Sequence, residues 1–290
     1  MNIRFHLFDG SPPKLIVTGE SLKNKGKIDF HLFRLLMILR KPWLVPIIAV
    51  VCALIAMLSG YIIGVAVDHY PPLLPFISDG GGRVPEASVF GQFLNTAAFL
   101  YIFTIYLIYL ETVEYYGHCM KWKRTRWWKV SISLLFLGIA CAYGMTIVGN
   151  FRYTEIKTVH MIGAMLTFVG MVIYGWGQVI TGYILQPSMA PKLLRHFRLL
   201  IIILTTCCLI LHLLAEVSPV FIPPGAGKYP GGNEINRTSD SPFFRTFIIA
   251  TSGEWAMVLL MQLFVLTYVN ELRYAEYYSS RITFLNTAEQ

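Results

Sequence analysis

The sequence has few charged residues. Aspartate, glutamate, lysine and arginine make up 14% of its 290 residues, whereas apolar residues make up 55% and the mean hydropathy is +0.57. A soluble domain typically contains about 25% charged residues. The shortage of charge, together with long uncharged runs, excludes an ordinary soluble domain and predicts a single-domain integral membrane protein.

The sequence also lacks the motifs of common enzyme classes. It contains neither a G-x-S-x-G nucleophile turn nor a G-x-x-x-x-G-K-[ST] phosphate-binding loop. Its five cysteines do not have the spacing of a metal site or a disulfide framework, and its histidines are spread over different segments. We therefore expect a protein that is not an enzyme, without catalytic residues, a metal or a cofactor.

What the sequence does contain is six apolar runs, each long enough to cross the roughly 30 Å core of a bilayer as a helix. They predict an all-α polytopic membrane protein with six transmembrane helices in one bundle. We expect a cytoplasmic extension (residues 1–41) with an interfacial helix at Ile28–Leu39, a membrane domain (42–273) and a cytoplasmic tail (274–290). The predicted spans are Trp43–Val67, Ser88–Leu110, Val130–Val148, Thr158–Leu185, Leu199–Leu214 and Pro242–Val269.

The net charge of +8 is unevenly distributed, and its distribution predicts the orientation. Basic residues concentrate in the N-terminal extension and in the connections at 121–129 and 192–198. With six spans these segments and both termini share one side, which is cytoplasmic by the positive-inside rule. Asn236 lies in an N-glycosylation sequon on the opposite, luminal side. The charge is thus explained by the membrane and does not indicate nucleic acid as a partner.

One basic connection is interleaved with tryptophans, which anchor at the level of the lipid headgroups. Ordinary anchoring explains this segment, and binding to anionic lipids such as phosphoinositides is the alternative. The residues predicted to contact anionic lipid are Lys121, Lys123, Arg124, Arg126 and Lys129.

The segment Pro75–Asn95 joins the first two predicted spans and differs from both. Its prolines forbid a continuous helix, and three successive glycines at 80–82 allow unusual backbone angles. We expect a shaped loop at the luminal membrane surface, because unpaired backbone groups cannot lie in hydrocarbon. Its candidate motif residues are Ser78, Asp79, Pro85 and Glu86.

Three stretches together resemble one family. The loop reads P-F-I-S-D from Pro75, then P-E, then F-G-x-x-x-N ending at Asn95. The second stretch ends in Asn150-Phe151 and is followed by Val159-His160, and the third is Gly253-Glu254-Trp255. This pattern resembles the damage-regulated autophagy modulator (DRAM) and transmembrane-150 proteins of the FRAG/DRAM/SFK superfamily. The resemblance covers roughly residues 42–273 and leaves out both tails.

This resemblance implies a non-enzymatic membrane regulator with cytoplasmic protein partners that the sequence does not identify. Members of the family are linked to autophagy and to lysosomal or endosomal membranes. Other relatives are linked to phosphoinositide kinase complexes at the plasma membrane, and more distant ones take part in remodelling lipid anchors. Regulation of phosphoinositide kinase complexes and remodelling of lipids remain as alternatives. Lipid remodelling would use the luminal polar residues.

Glu254 is the most informative single residue, because a carboxylate within a membrane helix is costly unless it is paired or protonated. We expect it to belong to a polar cluster that opens toward the lumen, with His160 and Asn95 as its partners. Hydrogen bonds that fix the helix bundle are the favoured role, and a ligand or lipid-headgroup site is the alternative. The candidate cluster comprises Glu254, His160, Asn95, Asn150 and Asp68.

Overall fold

A computed structural model of the chain places six long apolar helices in one bundle within the residues that it describes, as predicted. Each is long and apolar enough to cross a membrane. The structure describes residues 3–6, 14–17, 38–39, 41–120, 126–227, 239–275 and 277–278. The helices are α1 (Leu44–Ala66), α2 (Glu86–Met120), α3 (Trp127–Asn150), α4 (Lys157–Ile184), α5 (Lys192–Val217), α6 (Phe244–Leu266) and the short α7 (Val269–Leu272).

The described residues also form four short strands. β1 (Ile3–His6) pairs antiparallel with β2 (Lys14–Val17), and β3 (Ile38–Leu39) pairs antiparallel with β4 (Tyr277–Tyr278). The predicted interfacial helix at Ile28–Leu39 lies mostly outside the described residues, and its last two residues form β3.

Two helices extend well beyond the predicted spans. α2 continues ten residues past Leu110, because charged residues that end an apolar run do not end a helix. On this extension Tyr116 is buried against Leu185, which follows α4. Likewise α5 begins seven residues before Leu199, directly after Pro191. Hydropathy therefore located the spans but not the full helices.

Consecutive helices lie side by side around the bundle, with α1 next to α2, α2 next to α3, α3 next to α4 and α5 next to α6. The α3–α4 pair is closely packed, since a Cβ added to Gly144 would lie 2.8 Å from the Gly163 carbonyl oxygen. α4 and α5 make fewer contacts with each other than these pairs do, and residues of both helices line a cavity inside the bundle. We call the end where α1 meets α2 the loop side and the opposite end the terminal side.

Candidate functional site

The α1–α2 loop folds back into the bundle instead of lying on its surface. Pro75 and Phe76 are buried, and Phe76 packs against Phe247 and Ala250 of α6 and Ala215 of α5. Non-helical backbone is tolerated at such a position when protein surrounds it and pairs its polar groups. The loop expected at the surface is therefore partly buried between helices.

The loop is held in shape by its own residues and by a close approach to α1. A short 3-10 helix covers Ile77–Gly81, and Asp79 Oδ2 accepts a hydrogen bond from the Phe76 backbone N–H at 2.9 Å. Gly80 lies directly on Gly60, where an added Cβ would be 2.8 Å from the Gly80 Cα. Glycine at position 60 of α1 thus accommodates this loop.

Two successive residues of α6 hold the loop from the other side. The Ile77 N–H donates to Glu254 Oε2 at 3.0 Å, and Trp255 Nε1–H donates to the Pro75 carbonyl oxygen at 2.8 Å. Glu254 is buried, about 15 Å along α6 from its first residue. The carboxylate therefore accepts the hydrogen bond of a loop N–H that would otherwise be unpaired. We call Glu254 and Trp255 the loop clamp.

The structure does not pair Glu254 with either expected partner. His160 is buried at the start of α4, where its Nδ1 donates to the Phe151 carbonyl oxygen at 2.8 Å. Asn95 of α2 exchanges amide hydrogen bonds of 3.0 Å with Asn150 of α3. These residues connect neighbouring helices and turns, so most of the expected cluster is divided into separate pairs.

The remaining loop-side candidates also have separate positions. Asp68 is exposed just after α1, with a φ of 58° that aspartate tolerates. Pro85 is exposed, and its carbonyl oxygen accepts a hydrogen bond from Ser88 at 3.1 Å. Glu86 is completely buried at the start of α2, with Oε1 2.6 Å from His69 Nδ1. Ser78 lines the internal cavity described next.

A cavity of about 230 Å³ lies at the centre of the bundle, and all six long helices contribute to its wall. Most of the wall is apolar. Glu254 and His160 both line the cavity, although they do not hydrogen-bond to each other. At a deeper level the Tyr101 hydroxyl donates to Gln262 Oε1. The structure therefore combines an apolar chamber with polar groups near the loop side.

A buried ion pair at the terminal side was not predicted from the sequence. Arg198 of α5 binds Glu271 of α7 through two hydrogen bonds of 2.7 and 2.5 Å, and both side chains are buried. The guanidinium also donates to Thr267 Oγ1 at 2.8 Å and lies over the Tyr268 ring. The sequence places Arg198 among the basic residues of a connection, whereas the structure places it nearly two turns into α5 and opposite a glutamate.

The other predicted sites lie partly or wholly outside the described residues. Among the anionic-lipid candidates, Arg126 and Lys129 are exposed at the start of α3. Lys121, Lys123 and Arg124, and the sequon residue Asn236, lie outside the described residues. Lipid contact and glycosylation remain predictions.

These features define a class of six-helix membrane proteins in which α6 holds the first loop inside the bundle. The chain belongs to the Frag1/DRAM/Sfk1 family: the model for the "Frag1/DRAM/Sfk1/Cwh43P N-terminal domain" matches residues 42–275. No solved structure matches the chain.

Curated relatives agree with this assignment. Human DNA damage-regulated autophagy modulator protein 2 is 31% identical over 228 residues, covering 75% of this chain and 79% of the relative. The bovine protein of the same name is 29% identical, covering 79% and 83%. Human DNA damage-regulated autophagy modulator protein 1 is 33% identical over 170 residues, covering 58% and 68%. The chain is thus a multi-pass membrane protein similar to named autophagy modulators.

Proposed function

We propose that this protein is a non-enzymatic regulator of autophagy in a lysosomal or endosomal membrane. The observation that carries this proposal is the similarity to autophagy modulators across most of the membrane domain. In this proposal the termini and the basic connections face the cytoplasm and bind protein partners there.

The geometry of Glu254 supports a regulator over an enzyme. The intramembrane carboxylate is the residue most readily assigned a chemical role, yet it accepts a hydrogen bond from the loop backbone. Trp255 holds the same loop through the Pro75 carbonyl oxygen. We therefore assign the loop clamp a structural role that maintains the shape of the loop side.

The test is autophagic flux in cells from which the gene has been deleted. Cargo turnover is measured with and without an inhibitor of lysosomal proteolysis, after rescue with wild-type or Glu254→Gln protein. We expect flux to change on deletion and to be restored by both proteins, because glutamine retains an oxygen that accepts the Ile77 N–H. Unchanged flux after deletion would contradict the proposal, and failure of a normally trafficked Glu254→Gln protein would contradict the structural role of the clamp.

Imaging of the endogenously tagged protein tests the compartment separately. Lysosomal or endosomal residence is the expected result. Residence at the cell surface would instead favour regulation of a phosphoinositide kinase complex, and confinement to the secretory pathway would favour lipid remodelling.

A further inference from the structure

The wall of the central cavity is suited to a flexible apolar ligand. Side chains from α1, α3, α4 and α6 supply six of the chain's eleven methionines to it. Methionine is unbranched and polarizable, and it adapts to ligands of irregular shape. The lining methionines are Met57, Met145, Met161, Met165, Met171 and Met261.

The polar groups of the cavity are unevenly placed. Glu216 stands near the loop-side end of α5, and His160 stands near the loop-side start of α4. At the deeper level, Tyr101 and Gln262 are hydrogen-bonded to each other. The deeper polar groups, Glu254 included, are hydrogen-bonded within the protein, whereas polar side chains gather at the loop-side end. This arrangement suits an amphipathic molecule.

The cavity also has a side opening between α4 and α5. Met161, Met165 and Val217 line the cavity and are exposed on the bundle surface by 40, 42 and 83%. Further toward the terminal side the two helices meet, since Trp176 Nε1–H donates to Thr206 Oγ1 at 3.1 Å. The opening is thus confined to the loop-side half of two helices that are long and apolar enough to cross a membrane.

We propose that the cavity binds one acyl chain of a membrane phospholipid, which enters laterally between α4 and α5. The headgroup remains at the loop-side membrane surface, near Glu216. Three observations converge on this ligand: an opening between two apolar helices of membrane-spanning length, an adaptable apolar wall and polar side chains at the loop-side end of the cavity. The inference does not depend on the protein's role in autophagy.

Photolabelling of the full-length protein tests the proposal directly. The protein is reconstituted in vesicles of phosphatidylcholine, a small fraction of which carries a diazirine near the end of one acyl chain. After illumination, labelled residues are mapped by mass spectrometry. We expect labelling of Met57 and Met261, which are buried and line the cavity. Labelling restricted to outward-facing residues would overturn the proposal.

Two substitutions on the same helix provide a matched comparison. Ala164→Phe places a ring at the cavity wall, whereas Ile162→Phe changes a residue that is 59% exposed on the outer face of α4. We expect Ala164→Phe to lower labelling of Met57 and Met261 by about tenfold and Ile162→Phe to leave it unchanged. Unchanged labelling in a monodisperse Ala164→Phe protein would overturn the proposal.

Competition in the wild-type protein keeps the test independent of whether a variant folds. Unlabelled phosphatidylcholine should reduce labelling of Met57 in proportion to its excess over the probe. If cholesterol reduces this labelling more strongly than an equal amount of phosphatidylcholine, the cavity is a sterol site and the acyl-chain proposal is wrong.

Discussion

At the scale of single residues, the indole of Trp255 makes the simplest prediction. Trp255→Phe keeps an aromatic ring but removes the N–H that donates to the Pro75 carbonyl oxygen. A buried carbonyl left unpaired costs about 1–3 kcal/mol. We expect the free energy of unfolding in detergent to fall by about this amount. Trp128→Phe, at a partly exposed position of α3, is the control and should have a much smaller effect.

Glu254 allows a second test at this scale, in which charge and hydrogen bonding are separated. Glu254→Leu removes the oxygen that accepts the Ile77 N–H, whereas Glu254→Gln retains one. We expect Glu254→Leu to destabilise the protein by about 1–3 kcal/mol and Glu254→Gln to have a smaller effect. The measurement is unfolding in mild detergent. Equal losses in both variants would show that the negative charge, and not the acceptor, is required.

At the scale of secondary-structure elements, the approach of the loop to α1 is the most constrained contact. In Gly60→Ala the new methyl group would meet Gly80 backbone at 2.8 Å, so the loop must move. Gly182→Ala in α4 is a matched control, since nothing lies within 4 Å of its added Cβ. We expect a lower midpoint of thermal unfolding for Gly60→Ala. Gly182→Ala should be neutral or slightly stabilising, because alanine favours a helix by about 1 kcal/mol over glycine.

The ion pair between α5 and α7 predicts strong coupling between two elements. Glu271→Leu removes the carboxylate that is hydrogen-bonded to the buried Arg198 guanidinium, and breaking such a buried pair costs about 3–5 kcal/mol. Replacing both residues, as in Arg198→Met with Glu271→Leu, removes the uncompensated charge and should recover much of that loss. A double-mutant cycle on unfolding free energies measures the coupling. Additive effects of the two single changes would contradict a direct interaction.

At the scale of the whole molecule, orientation is open to a direct measurement. The sequon at Asn236 is predicted to lie on the luminal side of the membrane, and the basic connections are predicted to lie on the cytoplasmic side. We expect a glycosidase to increase the electrophoretic mobility of the wild-type protein but not of Asn236→Gln. As a control, we expect that a sequon introduced into the predicted cytoplasmic tail is not glycosylated. Glycosylation of that tail would reverse the predicted orientation.

The number and positions of the spans were predictable because apolar length alone decides whether a helix can cross a bilayer. The end of α2 and the start of α5 were not predictable from hydropathy, because both helices continue through charged residues beyond the apolar run. Glu254 was identified as important from the cost of burying a carboxylate. The hydrogen-bond partner of Glu254 was not identified, because it is the backbone N–H of Ile77. A pattern of side chains in the sequence does not reveal a backbone partner. The central cavity depends on how α4 and α5 diverge and had no counterpart in the sequence.

The loop clamp joins parts of the chain that are made far apart in time. Ile77 and Glu254 are separated by 177 positions. At a synthesis rate of roughly 5–20 residues per second, the loop waits on the order of 10–35 s before α6 exists. During that interval its backbone groups have no partner in α6, and a chain that ends before α6 never supplies one. Completion of this contact therefore distinguishes a finished protein from a truncated one, and we expect quality control to remove chains that lack it.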